Sequence, residues 1–179
     1  MRDLRRDRRT PLLPASPALR PLAAAARHIL RGGSEIRLAA GQALRLALPA
    51  SACRAVSEGD RAALWLGPDE WLLIAPEGSD DGAALRAALG QRPHSLVDVS
   101  HRQLAIELRG AQAPTLLAAG CALDLHSSAF PVGICTRTML GKAEIVLWRT
   151  APEVFRIEVW RSFAPYVAAF LEEAARGIA

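Results

Sequence analysis

Twice in this chain, two strand-like apolar runs stand on either side of a link too short for anything but a reversal. Ala62–Leu66 and Trp71–Ala75 flank Gly67-Pro68-Asp69-Glu70, whose proline and aspartate suit a tight turn, and Ala143–Arg149 and Val154–Trp160 flank a second. A parallel neighbour needs a crossover of about a dozen residues or more, so each pair must run antiparallel. Single helical patterns separate the paired strands, with no regular strand–helix alternation. That arrangement predicts an α+β fold in which helices cover one face of a mainly antiparallel sheet.

Further short strands are expected near Glu35–Leu38, Ala43–Leu48 and Cys53–Val56. A helix is expected between Ser79 and Gly90, with Ser79 as its cap, Asp80 and Asp81 against the positive end of its dipole, and Gly90 as its left-handed stop. Leu96–Ser100 and Gln103–Arg109 read as the next two strands; in the second, Leu104, Ile106 and Leu108 alternate with Ala105, Glu107 and Arg109. Ala111–Ala119 reads as a helix stopped by Gly120, and Gly133–Leu140 as a strand. In the last helix, which Ser162 is expected to cap, Phe163, Tyr166, Val167, Phe170, Leu171 and Ala174 recur at helical spacing. Its aromatics are assigned to the core.

Residues 1–34 combine arginines with prolines and alanines, which predicts an arm that is flexible or ordered by a partner, with Leu19–Leu30 able to form a short helix. Residues 35–179 are read as one domain. The charge divides in the same place: residues 1–31 carry a net +6 and the remainder a net −2, with Lys142 the sole lysine of the chain. A folded part without clustered Lys and Arg argues against a nucleic-acid partner. The apolar runs fall far short of the ~20 residues that span a bilayer, and Pro11, Pro14, Pro17 and Pro21 interrupt any secretory signal core. Cys53, Cys121 and Cys135 are widely spaced, which predicts reduced thiols and a cytoplasmic location.

Ser95–Arg102 reads Ser-Leu-Val-Asp-Val-Ser-His-Arg and invites a hydrolase interpretation. In an extended strand, however, Asp98 and Ser100 share one face while His101 points to the other, so the three do not compose a triad. Leu96, Val97 and Val99 predict a mostly buried strand, in which the Asp98 carboxylate needs backbone amides or an arginine such as Arg102 or Arg137. His28, His94, His101 and His126 lack metal-ligand spacing, and no glycine-rich phosphate loop occurs. Lys142 follows Gly141 at an exposed turn. No catalytic, cofactor-binding or metal-binding residue is assigned on this chain.

The second hairpin speaks to association. If Leu147 pairs with Ile157 and Ile145 with Val159 on the core face, then Glu144, Val146, Trp148, Arg156, Glu158 and Trp160 share the opposite one. Large aromatics and arginine are enriched where partners bind, which makes Trp148, Arg156, Glu158 and Trp160 a candidate partner interface. A helix of the same domain covering that face is the competing reading.

Four stretches together carry a family resemblance: Gly59–Gly78, His94–Leu125, Phe130–Arg149 and Phe155–Ala174. Their ordered motifs Leu-Gly-Pro-Asp-Glu-Trp, Asp-Val-Ser-His-Arg and Thr-Met-Leu-Gly-Lys-Ala-Glu are specific as a set, and the chain resembles the gamma subunit of heterotetrameric sarcosine oxidase over most of residues 35–176. The resemblance implies an accessory, non-catalytic chain associated with alpha, beta and delta subunits. It implies that the partners hold FAD, FMN, NAD and tetrahydrofolate, and that the complex demethylates sarcosine to glycine with hydrogen peroxide and 5,10-methylenetetrahydrofolate as co-products. Val97-Asp98-Val99-Ser100-His101 is also similar to a stretch of the folate-binding aminomethyltransferases of glycine cleavage, which implies their α+β architecture. This chain has Val97 where those enzymes have Phe and Arg102 where they have Met. A stand-alone folate-binding protein or shortened aminomethyltransferase, gripping a pterin through Asp98 or Glu107, is the alternative.

Overall fold

The computed structural model describes residues 18–177. Along them run β1 (Leu19–Pro21), β2 (Ala25–Arg31), α1 (Ser34–Leu44), β3 (Ala55–Glu58), β4 (Arg61–Gly67), β5 (Glu70–Pro76) and α2 (Asp81–Leu89). After them come β6 (Ser95–Asp98), β7 (Gln103–Arg109), α3 (Ala113–Ala118), β8 (Cys135–Leu140), β9 (Ala143–Ala151), β10 (Val154–Trp160) and α4 (Ala164–Arg176). The fold is α+β and antiparallel, as the paired runs predict, but its strands divide between two five-stranded sheets. The chain correspondingly forms two compact units where one domain is expected: an N-unit of residues 24–100 and 133–136, and a C-unit whose described residues are 18–23, 101–132 and 137–177.

In the N-unit the strand order is β3-β4-β5-β2-β6. β2 lies inside the sheet, with His28 opposite Leu73 on β5 and Asp98 on β6. This corrects the expected arm: residues 19–21 and 25–31 are strands, while residues 1–17 lie outside the described residues. Arginines and alanines make Ala25–Arg31 a weak strand by composition, yet ladders on both of its edges hold it there.

A second correction concerns residues 34–44, a helix where two strands are expected. Ile36, Ala40 and Leu44 are its buried positions, four residues apart, and they pack with Leu85 and Leu89 of α2 onto Leu30, Ala63, Trp71 and Leu73 of the sheet. Short apolar runs do not distinguish helix from strand until a sheet face is there to select the period.

The C-unit sheet has the order β1-β7-β10-β9-β8. Ile157 faces both Ile106 and Leu147, and Val159 faces both Leu104 and Ile145, which is the hairpin register read from the sequence. Leu116 of α3 and Leu171 of α4 line one groove with Leu19 and Leu108, so both helices lie on this apolar face. α4 is rotated from expectation. Ala164, Val167, Ala168 and Leu171 are its buried stripe, whereas Phe163 and Tyr166 are 40% and 37% exposed. Neither Ser79 nor Ser162 caps a helix: α2 and α4 begin without a side-chain cap, and Ser79 Oγ is buried with no hydrogen-bond partner.

Candidate functional site

The Asp98–His101 segment is structural. β6 ends at Asp98 and the chain turns, so strand parity stops there: Asp98 is exposed and Ser100 buried, against the expectation of a mostly buried Asp98. Asp98 Oδ1 accepts from Ser100 N–H at 2.9 Å, an Asx-type turn. Ser100 Oγ accepts from Arg27 N–H at 2.8 Å and donates to Arg27 O at 3.3 Å, while Val99 N–H also donates to Arg27 O at 2.9 Å. The hydroxyl thus extends the β2 ladder past the end of β6. Buried and doubly bonded to backbone, it is no nucleophile. His101 is exposed, and its carbonyl accepts from Arg161 Nε at 3.2 Å.

Leu66-Gly67-Pro68-Asp69-Glu70-Trp71 is a clamp. Arg31 at the end of β2 donates to both Asp69 oxygens at 3.0 and 3.2 Å, and Gly32 N–H donates to Asp69 O at 2.9 Å. Trp71 then buries its indole and donates from Nε1 to Pro49 O at 2.8 Å, fastening the loop after α1 to the sheet. Leu140-Gly141-Lys142 is a second turn held by an aromatic. Gly141 has φ +58°, its N–H donates to Gly120 O at 2.9 Å, and the neighbouring Lys142 N–H donates to Tyr166 Oη at 3.0 Å.

On the C-unit face opposite the helices, Arg156 stands beside Glu107 on β7 and Trp148 on β9. Arg156 Nη2 lies 2.7 Å from Glu158 Oε1, and Arg20 lies 3.0 Å from Glu107. Trp148 and Glu158 are only 8% and 1% exposed, so the four expected interface residues do not form one open surface. Trp160 alone among them is well exposed, at 39%, with the Arg102 guanidinium 4.7 Å above its ring. Alternation placed all four on one face correctly, but which part of that face the chain covers is a tertiary property. Trp148 Nε1 and Gln103 Oε1 on this face are buried without partners.

Arg149, invisible as a special residue in the sequence, is 5% exposed and lies over the Phe155 ring. Its Nη1 donates to Phe130 O at 2.9 Å and Leu125 O at 3.3 Å, and its Nε to Pro152 O at 3.1 Å. A cation spent on backbone carbonyls fixes a loop and performs no chemistry. In the N-unit, Arg61 and Asp81 pair at 2.8 Å, which raises the guanidinium pKa. Burial lowers the pKa of His28, with Arg86 acting in the same direction and Asp98 and Asp81 opposing. Burial likewise pushes the Cys135 thiol up to about 12.

Three grooves among the described residues are candidate ligand sites. The one of about 460 Å³ is rimmed by Arg45, Glu58, Asp60 and Arg61; that of about 300 Å³ is lined mainly by leucines and alanines, and that of about 290 Å³ by three leucines and Ala47 beside Arg37, Gln42 and Arg45. None of the three has an aromatic side chain in its lining. Among the described residues no three His, Cys, Asp or Glu side chains could together hold a metal ion, and no helix is long and apolar enough to cross a membrane.

The chain's relatives are consistent with this geometry. The gamma subunit of sarcosine oxidase from Corynebacterium sp. strain P-1 is 42% identical over 113 residues, a stretch covering 63% of this chain and 56% of that relative. The match thus spans little more than half of the relative's length. Among solved structures, a chain of heterotetrameric sarcosine oxidase from Corynebacterium sp. U-96, in complex with pyrrole 2-carboxylate, superposes with a TM-score of 0.84 and 32% identity, covering 92% of this chain and 88% of that one. Aminomethyltransferase T of the glycine cleavage system from Bartonella henselae superposes with a TM-score of 0.65 at 14% identity, covering 88% of this chain and 46% of that one, a likeness of fold alone. The profile of the sarcosine oxidase, gamma subunit family matches residues 33–177, from the residue before α1 to the residue after α4, and the chain belongs to that family.

Proposed function

We propose that this chain is a non-catalytic accessory subunit of a heterotetrameric sarcosine oxidase, docked onto alpha, beta and delta subunits. The observation that carries this reading is the likeness to a chain of such a complex over 92% of the present chain, at 32% identity. The local chemistry agrees with it. Ser100, Asp98 and Arg149 are engaged in closing turns and sheet edges.

In this reading the assembly demethylates sarcosine to glycine, releasing hydrogen peroxide and 5,10-methylenetetrahydrofolate. FAD, FMN, NAD and tetrahydrofolate, held by the partner subunits, supply the redox and one-carbon chemistry. The present chain contributes surface and stability. Cytoplasmic residence follows from the same proposal, and the unpaired thiols Cys53, Cys121 and Cys135 support a reducing compartment.

Co-expression of the tagged full-length chain with the flavin-bearing subunits tests the reading. A stoichiometric complex with sarcosine-dependent oxygen consumption is expected. Elution of the tagged chain alone, from cells that contain the other subunits folded, overturns it. Titration calorimetry with tetrahydrofolate addresses the stand-alone folate protein suggested by the shared fold. Saturable heat with the isolated chain would favour that alternative.

A further inference from the structure

The C-unit has a corner at which exposed aromatics and cations coincide. Trp160 ends β10 at 39% exposure, and the turn that follows presents Phe163 at 40%, its N–H donating to Trp160 O at 2.9 Å. Tyr166 stands one helical turn further on at 37%. The Arg102 guanidinium lies 4.7 Å over the Trp160 ring, and Arg161 N–H donates to Arg102 O at 2.7 Å, tying the two chain segments together. His101 beside them is exposed.

The sequence of these segments sharpens the charge. From Val99 to Ile106 and from Val159 to Leu171 there is no Asp or Glu, whereas His101, Arg102 and Arg161 fall within them. Residues 32–179 as a whole are slightly acidic, so the corner is a local inversion of sign. An arginine stacked on an exposed tryptophan keeps its N–H edge available for a carboxylate while the ring offers apolar area, the combination enriched at the centres of protein interfaces.

We infer that the Arg102–Trp160–Phe163 corner is the docking surface for a segment of a larger subunit that carries a carboxylate next to an apolar side chain. The inference rests on the accessory-subunit reading and gives it a location. It replaces the wider set of Trp148, Arg156, Glu158 and Trp160, of which Trp148 and Glu158 are buried.

The test measures binding of the full-length chain to the purified complex of the other subunits by biolayer interferometry, at low and high salt. Arg102→Glu and the pair Trp160→Ser with Phe163→Ser are compared with wild type and with Leu38→Ser, an exposed control in α1. Each corner variant is expected to raise Kd by about tenfold or more, Arg102→Glu also flattening the salt dependence, while Leu38→Ser leaves Kd unchanged. Circular dichroism and thermal melts establish that the variants are folded, as their exposed positions allow. Wild-type binding with unaltered Kd in the corner variants overturns the docking surface and leaves the subunit reading intact. Failure of folded wild-type chain to bind overturns the subunit reading itself. Concentration-dependent self-association that Trp160→Ser abolishes would assign the corner to a second copy of this chain, and equally overturns the inference.

Discussion

The imidazole of His28 occupies the space that a methyl group on Gly82 would need: a Cβ built on Gly82 lies 2.7 Å from Nε2 and 3.0 Å from Cε1. Gly82 is in the first turn of α2 and His28 in the middle of β2, so this single close approach sets how the helix start meets the sheet. Gly82→Ala is expected to destabilise the protein by about 1–3 kcal/mol, because neither a buried ring nor a helix backbone yields freely. In a double-mutant cycle, His28→Ala should recover part of that loss. Additive losses by urea denaturation would refute the contact.

His28 also gives stability a pH dependence of definite sign. Its folded pKa lies below the ordinary 6.5, chiefly through burial, so between the two values the unfolded chain holds a proton that the folded chain lacks. Stability is therefore complete above about pH 6.5, falls on acidification through that value, and stops falling on this account below the folded pKa. The slope from one such group cannot exceed about 1.4 kcal/mol per pH unit. His28→Asn should show a shallower decline in urea midpoint between pH 7.5 and 5.5, and an identical profile would contradict the assignment.

Gly141 carries two constraints that can be separated. Its φ of +58° disfavours any side chain, and a Cβ there would lie 2.3 Å from Tyr166 Oη. Gly141→Ala should cost about 1–3 kcal/mol, and adding Tyr166→Phe should restore only the steric part. Thermal melts of the two single variants and the double variant decide it: full restoration would mean the backbone conformation costs nothing.

Arg149 is a fixed point of the C-unit. Arg149→Met keeps much of the volume over Phe155 but leaves the carbonyls of Leu125, Phe130 and Pro152 without their donor, a loss of about 3 kcal/mol. A melting temperature within a degree or two of wild type would show that water replaces the guanidinium without cost.

Much of this was legible in the sequence where local pattern and tertiary demand agree. The pairing of Leu147 with Ile157 follows from alternation on either side of a short turn, and the β4–β5 hairpin from Pro68 and Asp69. Legibility failed where a neighbour chooses between equal local options. Ile36, Ala40 and Leu44 fit a helix as well as two short strands until the sheet presents a flat apolar face. Alternation put Asp98 in a buried strand, but β6 ends at that residue. At α4, helical spacing identified the element and not its phase: alanines at 164 and 168 turn inward and leave Phe163 and Tyr166 at the rim. The docking corner was hidden for the same reason, since Trp160 and Trp148 look alike on paper and differ in what surrounds them.

The path of the chain between the two units has a consequence for synthesis. It passes from the C-unit to the N-unit after Ala23, returns after Ser100, crosses again after Val132 and goes back after Thr136. By the time Ser100 leaves a ribosome, all five strands of the N-unit sheet have emerged: β3, β4 and β5 can pair locally, and β2 can close on β5 and β6 without waiting for any later strand. β1 must wait for β7, and β7 must wait for β10, the last strand of its sheet to be made. The late-closing half is also the half that carries Trp160 and Phe163. A partner that recognises those residues would therefore find them in place only after β10 has paired with β7, later than the strands of the N-unit sheet can close, so that assembly favours chains whose C-unit sheet has formed.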